Sequence, residues 1–162
     1  MGAGKSHCGK QVALQLNLPF IDLDQAIELS TGLSIQAIFD RFGEDGFRST
    51  ENKTLQQLLN GSENFIMACG GGTPCFFDNL QQMKSAGKVI WLNPSESVLV
   101  ERLKKSQESR PLLKNLDASQ LLHYVKEQLQ ERLTFYQQAD FEVTNDNLEL
   151  LPILQQIQHG KN

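Results

Sequence analysis

A chain of 162 residues, 40% of them hydrophobic, suits one compact α/β domain with its own core and leaves little room for a second. Fifteen Lys and Arg against nineteen Asp and Glu give a net charge of −4, without the positive field that a nucleic acid or an anionic membrane surface requires, so an anionic ligand must be met by a local site. The three cysteines, Cys8, Cys69 and Cys75, lack CxxC or Cys/His spacing, and no long apolar run or leader pattern is present, which leads to the expectation of a soluble protein of the reducing cytoplasm.

The chain opens on Gly2-Ala3-Gly4-Lys5-Ser6, and the amphipathic run that follows predicts a helix over 5–16. This is the second half of G-x-x-x-x-G-K-[ST], a loop whose small residues let backbone N–H groups approach phosphate at a helix start. In that geometry Lys5 contacts the β- and γ-phosphates of a nucleoside triphosphate, and the Ser6 hydroxyl ligates Mg²⁺. A merely flexible glycine-rich terminus is the other reading, but Gly, Gly, Lys and Ser stand in register immediately before a helical pattern. The full motif places another glycine two positions ahead of Met1 and a strand before that. The expectation is therefore a natural chain that begins upstream, with Met1 internal to the loop and the first strand missing here.

A short apolar run predicts a strand over 20–22, leading into Asp22-Leu23-Asp24. In extended chain Asp22 and Asp24 project from the same side. One carboxylate suits Mg²⁺, and the other suits an attacking hydroxyl, whose proton it accepts; a plain helix cap at Asp24 is the alternative. A helical pattern follows over 34–59 with a break at Gly43, and Arg48 lies within one turn of Glu44 and Glu51, so a simple ion pair on the helix surface stays open. Spacing alone makes Phe39 and Phe47 core residues.

The next strand, over 65–68, runs into Gly70-Gly71-Gly72, where backbone either lies against a ligand or makes a tight turn. Helices are predicted over 78–85, 95–105, 118–139 and 147–157, and strands over 89–92 and 141–144. Strands alternating with helices indicate a parallel sheet of βαβ units. The polar stretch 106–116 carries Arg110-Pro111 and is a candidate lid; Arg110 is either delivered to the transferring phosphoryl group or is a solvated loop residue. His7, His123 and His159 are scattered, and none is assigned to catalysis.

Taken together, D-x-D at 22–24, S-I-x-x-I-F at 34–39, Gly43-Glu44, F-R-x-x-E at 47–51, the Gly70–72 run, Arg110-Pro111-Leu112-Leu113, Glu131-Arg132, Tyr136 and Ala139-Asp140 make the chain resemble the shikimate kinase family over nearly its whole length. The resemblance implies one monomeric domain over 1–162 with a three-layer P-loop kinase fold and a parallel sheet of order 2-3-1-4-5. It implies transfer of the ATP γ-phosphate to the 3-hydroxyl of shikimate, with Mg²⁺. By the same resemblance ATP is met by Gly2, Ala3, Gly4, Lys5, Ser6, His7, Arg102 and Arg110, with Arg102 against adenine beside the turn at 143–145. His7 stands where the family often has a small hydroxyl residue. Shikimate falls to Asp24, Arg48, Glu51, Gly70, Gly71, Gly72 and Arg132, with Phe39 and Phe47 as pocket walls. Ser6 and Asp22 are the implied metal ligands, and Lys5, Asp24 and Arg110 the catalytic group. Two alternatives stay open: a gluconate kinase-like enzyme of the same fold, and a remnant that binds shikimate without turnover because the start of the phosphate loop is missing.

Overall fold

A computed structural model describes residues 2–61, 63–105, 116–146, 150 and 154–155. The candidate lid, save Leu116, and most of the helix predicted over 147–157 lie outside the described residues. The chain divides into two compact units, Lys5–Lys88 on the one hand and Met1–Gly4 with Val89–Asn162 on the other.

In Lys5–Lys88, α1 (Lys5–Leu16) buries Cys8, Val12 and Ala13 along one stripe, and β1 (Phe20–Asp22) passes directly into α2 (Leu23–Thr31). Helix α2 is foreshadowed only by the cap alternative at Asp24 and is not among the predicted helices, yet its Leu23 and Ile27, one turn apart, are fully buried. Helix α3 (Ile35–Leu59) starts on Ser34, whose side chain accepts from the Ala37 N–H, and departs from helical geometry at Gly43, as predicted (φ 67°, ψ −170°). Leu23, Ile27, Ile38, Phe47 and Leu55 form one core cluster, onto which Phe39 and Met67 pack. Truncating a side chain such as Leu55 to Ala is worth about 2–5 kcal/mol. β2 (Ile66–Ala68) pairs in parallel with β1, Phe20 opposite Ile66 and Asp22 opposite Ala68. A 3-10 turn at Thr73–Cys75 and α4 (Asn79–Ala86) complete this unit.

In the other unit β3 (Ile90–Leu92) and β4 (Phe141–Val143) form a second parallel pair, with Ile90 opposite Phe141. Helices α5 (Glu96–Lys105) and α6 (Ala118–Tyr136) bury Leu99, Leu103, Leu121 and Val125, at i, i+4 spacing on each helix, in a cluster that also holds Ala3. α6 begins with a capping box, Asp117 accepting from Gln120 N–H while the Gln120 side chain returns to Asp117 N–H. It ends at Tyr136, three residues before the predicted end. The described strands thus form parallel pairs β1-β2 and β3-β4, which are pairs 2-3 and 4-5 of the expected order.

Candidate active site

Gly2 and Gly4 both take left-handed backbone (φ 72° and 85°), and a Cβ on Gly2 would stand 3.1 Å from Leu103 Cγ. The loop is therefore built for glycine, and Ala3 between them is buried. α1 opens on Lys5-Ser6-His7 with no acidic residue in its first turn. A lysine at the positive end of a helix dipole is unfavourable for an isolated helix and favourable once an anion sits there. Ser6 and His7 are both exposed.

The Ser6 hydroxyl donates to Asp22 Oδ2 at 2.7 Å, while Asp22 Oδ1 accepts from the Asp24 N–H at 3.2 Å and so caps α2. The helix cap is thus Asp22 rather than Asp24, and Asp24 lies in the first turn of α2 rather than in extended chain. Strand alternation, expected from the sequence to bring Asp22 and Asp24 together, does not do so; the tight β1-to-α2 passage does. A hydroxyl and a carboxylate are the hard oxygen donors that Mg²⁺ prefers. Among the described residues no group of three or more His, Cys, Asp and Glu is arranged to hold a metal by itself. Mg²⁺ needs no such cage where one or two protein oxygens act together with substrate phosphates and water.

Asp24 keeps much of its surface open to solvent, but its carboxyl lies close beside Gly70, where a Cβ would be 3.8 Å from Oδ1. Partial desolvation, then the charges of Asp22 and Glu51, raise its pKa above the ordinary 3.8; Lys5 pulls the other way, and Glu28 adds a small rise. The neighbouring Cys69 thiol is pushed up to about 12, first by burial and then by Glu51, so it stays neutral and chemically quiet.

Arg48 is held on several sides. Its Nη1 donates to Glu51 Oε2 at 2.8 Å, and Nη2 and Nε reach Glu44 Oε1 at 3.2 and 3.3 Å. The surface ion pair left open by the sequence is realised with Glu44, but Glu51 has no solvent exposure and its pair is an interior one. The guanidinium lies 5.0 Å from the Phe47 ring centroid and 4.1 Å from that of Phe76, and Phe47 stacks on Phe39 at 4.5 Å. A Cβ on Gly72 would come within 2.5 Å of Arg48 Nη2, so a side chain at that position would push the guanidinium out of its place. Gly71 is half-buried in the same turn. One unit thus brings together Lys5, Ser6, Asp22, Asp24, Arg48, Glu51, the glycine run and both phenylalanines.

Within the other unit, Arg102 donates from Nη1 to Ala3 O at 3.3 Å and from Nη2 to Asp146 O at 3.0 Å. Asp146 in turn accepts from Ser95 N–H at 2.7 Å and Ser95 Oγ at 3.1 Å, bonds that lower its pKa. Arg132 is half-buried on α6 and hydrogen-bonded through Nη2 to Gln128 Oε1. Arg110 lies outside the described residues.

Residues 1–159 match the family model described as "SKI: Shikimate kinase". The chain belongs to the shikimate kinase family. It is similar to the shikimate kinase of Phocaeicola vulgatus, with 41% identity over 149 residues that cover 92% of this chain and 85% of that protein. The shikimate kinase of Flavobacterium psychrophilum is 35% identical over 158 residues, 97% of this chain and 92% of its own. Among solved structures, the Bacteroides thetaiotaomicron shikimate kinase superposes with a TM-score of 0.83 at 35% identity, covering 99% of this chain and 91% of that one. The Acinetobacter baumannii shikimate kinase in complex with shikimate gives 0.85 at 30% identity, covering 99% and 90%.

The fold and the class of ATP-dependent kinase expected from the sequence are those of the shikimate kinase family. The motifs did not reveal Phe76 against Arg48, Thr73 on Glu51, or Asp146 under Ser95. Thr73 and Phe76 follow the glycine run closely, and nothing in their residue types marks them as partners of Glu51 and Arg48, more than twenty positions earlier in the chain.

Proposed function

We propose that this chain transfers the γ-phosphate of ATP to the 3-hydroxyl of shikimate, giving shikimate 3-phosphate and ADP. The observation that carries this reading is the buried Glu51–Arg48 pair set beside Asp24, a planar guanidinium fork and a carboxylate of the kinds that would suit one small hydroxy acid.

In this reading Arg48 pairs with the shikimate carboxylate and Arg132 supplies a second guanidinium. Gly70, Gly71 and Gly72 let backbone lie against the ring, Phe39 and Phe47 wall the apolar side, and Glu51 holds Arg48. Asp24 accepts the proton of the attacking hydroxyl, and a pKa raised towards the working pH makes it a better base than an ordinary aspartate. Gly2, Ala3, Gly4, Ser6 and His7 meet the phosphates through backbone N–H groups at the start of α1, and the Lys5 ammonium neutralises them. Arg102 meets the nucleotide beside the Asp146 turn, and Arg110 steadies the migrating phosphoryl group from the candidate lid over 106–116. Ser6 and Asp22 are the residues that would hold Mg²⁺, which when bound neutralises phosphate charge and orients the transferring group. The enzyme is proposed to act as a cytoplasmic monomer.

A coupled ADP-release assay with ATP, Mg²⁺ and shikimate tests the reading. ADP release that requires shikimate supports it; ADP release that is the same without shikimate, or greater with gluconate in its place, overturns it.

A further inference from the structure

Thr73 is completely buried at the head of the 3-10 turn, and its hydroxyl donates to Glu51 Oε1 at 2.7 Å. The other oxygen of the same carboxylate receives Arg48 Nη1 at 2.8 Å. Thr73 is itself pinned: its carbonyl accepts from Asn79 Nδ2 at 2.8 Å, and Asn79 Oδ1 accepts from Asn52 Nδ2 at 2.6 Å. Glu51, Thr73 and Asn79 each show 0% exposure, so this chain of bonds runs through the interior from α4 back to α3.

A carboxylate out of contact with water needs both oxygens satisfied, and two bonds on different oxygens also fix the plane of the group. With Thr73 on one oxygen, the remaining oxygen is directed at Arg48. With that bond lost, Oε1 is a buried acceptor without its donor, and the carboxylate turns to share its charge differently with Arg48. The guanidinium plane then shifts against Phe76, whose ring centroid is 4.1 Å away, and against Gly72, where the clearance is already small.

We propose that Thr73 is a positioning residue for acceptor recognition, acting through Glu51 to hold the Arg48 fork in the orientation that a substrate carboxylate requires. The inference rests on the proposed role of Arg48 in binding shikimate. Among the described residues Thr73 bonds to Glu51, to Asn79 and, through its N–H at 3.2 Å, to the Gly70 carbonyl, all on the side proposed for the acceptor, so its loss is expected to act on the acceptor rather than the nucleotide.

The test compares the full chain with Thr73→Val, which keeps the shape and removes the donor, and Thr73→Ser, which keeps the donor. KM for shikimate, KM for ATP and kcat are measured for each, together with shikimate binding by calorimetry in the absence of ATP. The expected result is a rise of about tenfold in the shikimate KM and dissociation constant for Thr73→Val, the equivalent of about 1.4 kcal/mol. KM for ATP stays within about twofold, and Thr73→Ser restores the parent values within about twofold. If Thr73→Val does not fold, Thr73→Ala is judged by the same criteria. Shikimate constants unchanged in the variant, both substrates weakened equally, or no rescue by serine would overturn the inference while leaving the kinase reading intact. A parent chain that neither binds shikimate nor turns it over removes the kinase reading and this inference with it.

Discussion

Arg48 and Arg102 are both arginines with several hydrogen bonds, and they are secured in opposite ways. Arg48 stands on a carboxylate with no solvent exposure, with two aromatic ring centroids 4.1 and 5.0 Å from its guanidinium and that carboxylate itself braced by Thr73. Arg102 reaches two backbone carbonyls at 3.0 and 3.3 Å, one of them on Asp146, whose residue is exposed. A buried charge pair is costly to break because the survivor is stranded, whereas a bond to the exposed Asp146 carbonyl can be replaced by water. Arg48, proposed above to meet the acceptor, is thus the more rigidly held of the two, and Arg102, proposed to meet the nucleotide, the more adjustable.

The largest effect is expected at Asp24, the group assigned to the chemistry. Asp24→Asn should lower kcat by about 10²- to 10⁴-fold with little change in KM for ATP, as measured by steady-state kinetics. The same variant should melt higher at neutral pH. Because the folded-state pKa of Asp24 is raised, its ionised form costs stability above that pKa, and the cost disappears as pH falls through it. A variant with unchanged kcat would remove Asp24 from the reaction.

Arg48→Ala tests the rigid side directly. It leaves Glu51 buried without its guanidinium, which costs about 3–5 kcal/mol in a denaturant titration, and it should raise KM for shikimate far more than KM for ATP. Equal losses for both substrates would mean that the pair serves only the fold. The pH profile sharpens the same point: the acid limb of kcat/KM for shikimate should lie above the range of an ordinary aspartate, since desolvation, Asp22 and Glu51 all favour the protonated Asp24. A limb at or below that range would contradict the assignment. The smallest effect belongs to the adjustable side, where Arg102→Ala should raise KM for ATP by about threefold to tenfold, the worth of one hydrogen bond at about 0.5–1.5 kcal/mol. A larger loss than that of Arg48→Ala on its own substrate would reverse the comparison.

Much of this was legible in the sequence because it rests on short-range rules. The P-loop residues at 2–6 announce a helix N-terminus, Gly43 announces its break, and the four strand positions follow from short apolar runs between helical patterns. Helix α2 was not legible, because only nine residues separate the end of β1 from Gly32 and its stripe shows just Leu23 and Ile27. In that short passage the proximity of Asp22 and Asp24 comes from a helix cap and not from the strand alternation the sequence suggests. The support around Arg48 was legible only as far as Glu51, one helical turn away. Thr73, Phe76 and Asn79 join it through tertiary packing, which leaves no periodic trace in a single sequence.

The most direct measurement is ³¹P NMR of a reaction containing this chain, ATP, Mg²⁺ and shikimate. The ATP γ-phosphorus signal should fall as ADP signals and one new phosphomonoester, attached at the 3-hydroxyl of shikimate, grow in equal amounts. Growth of inorganic phosphate alone, or a phosphomonoester that forms equally well when shikimate is replaced by a hydroxy acid without its ring, would contradict the proposed transfer.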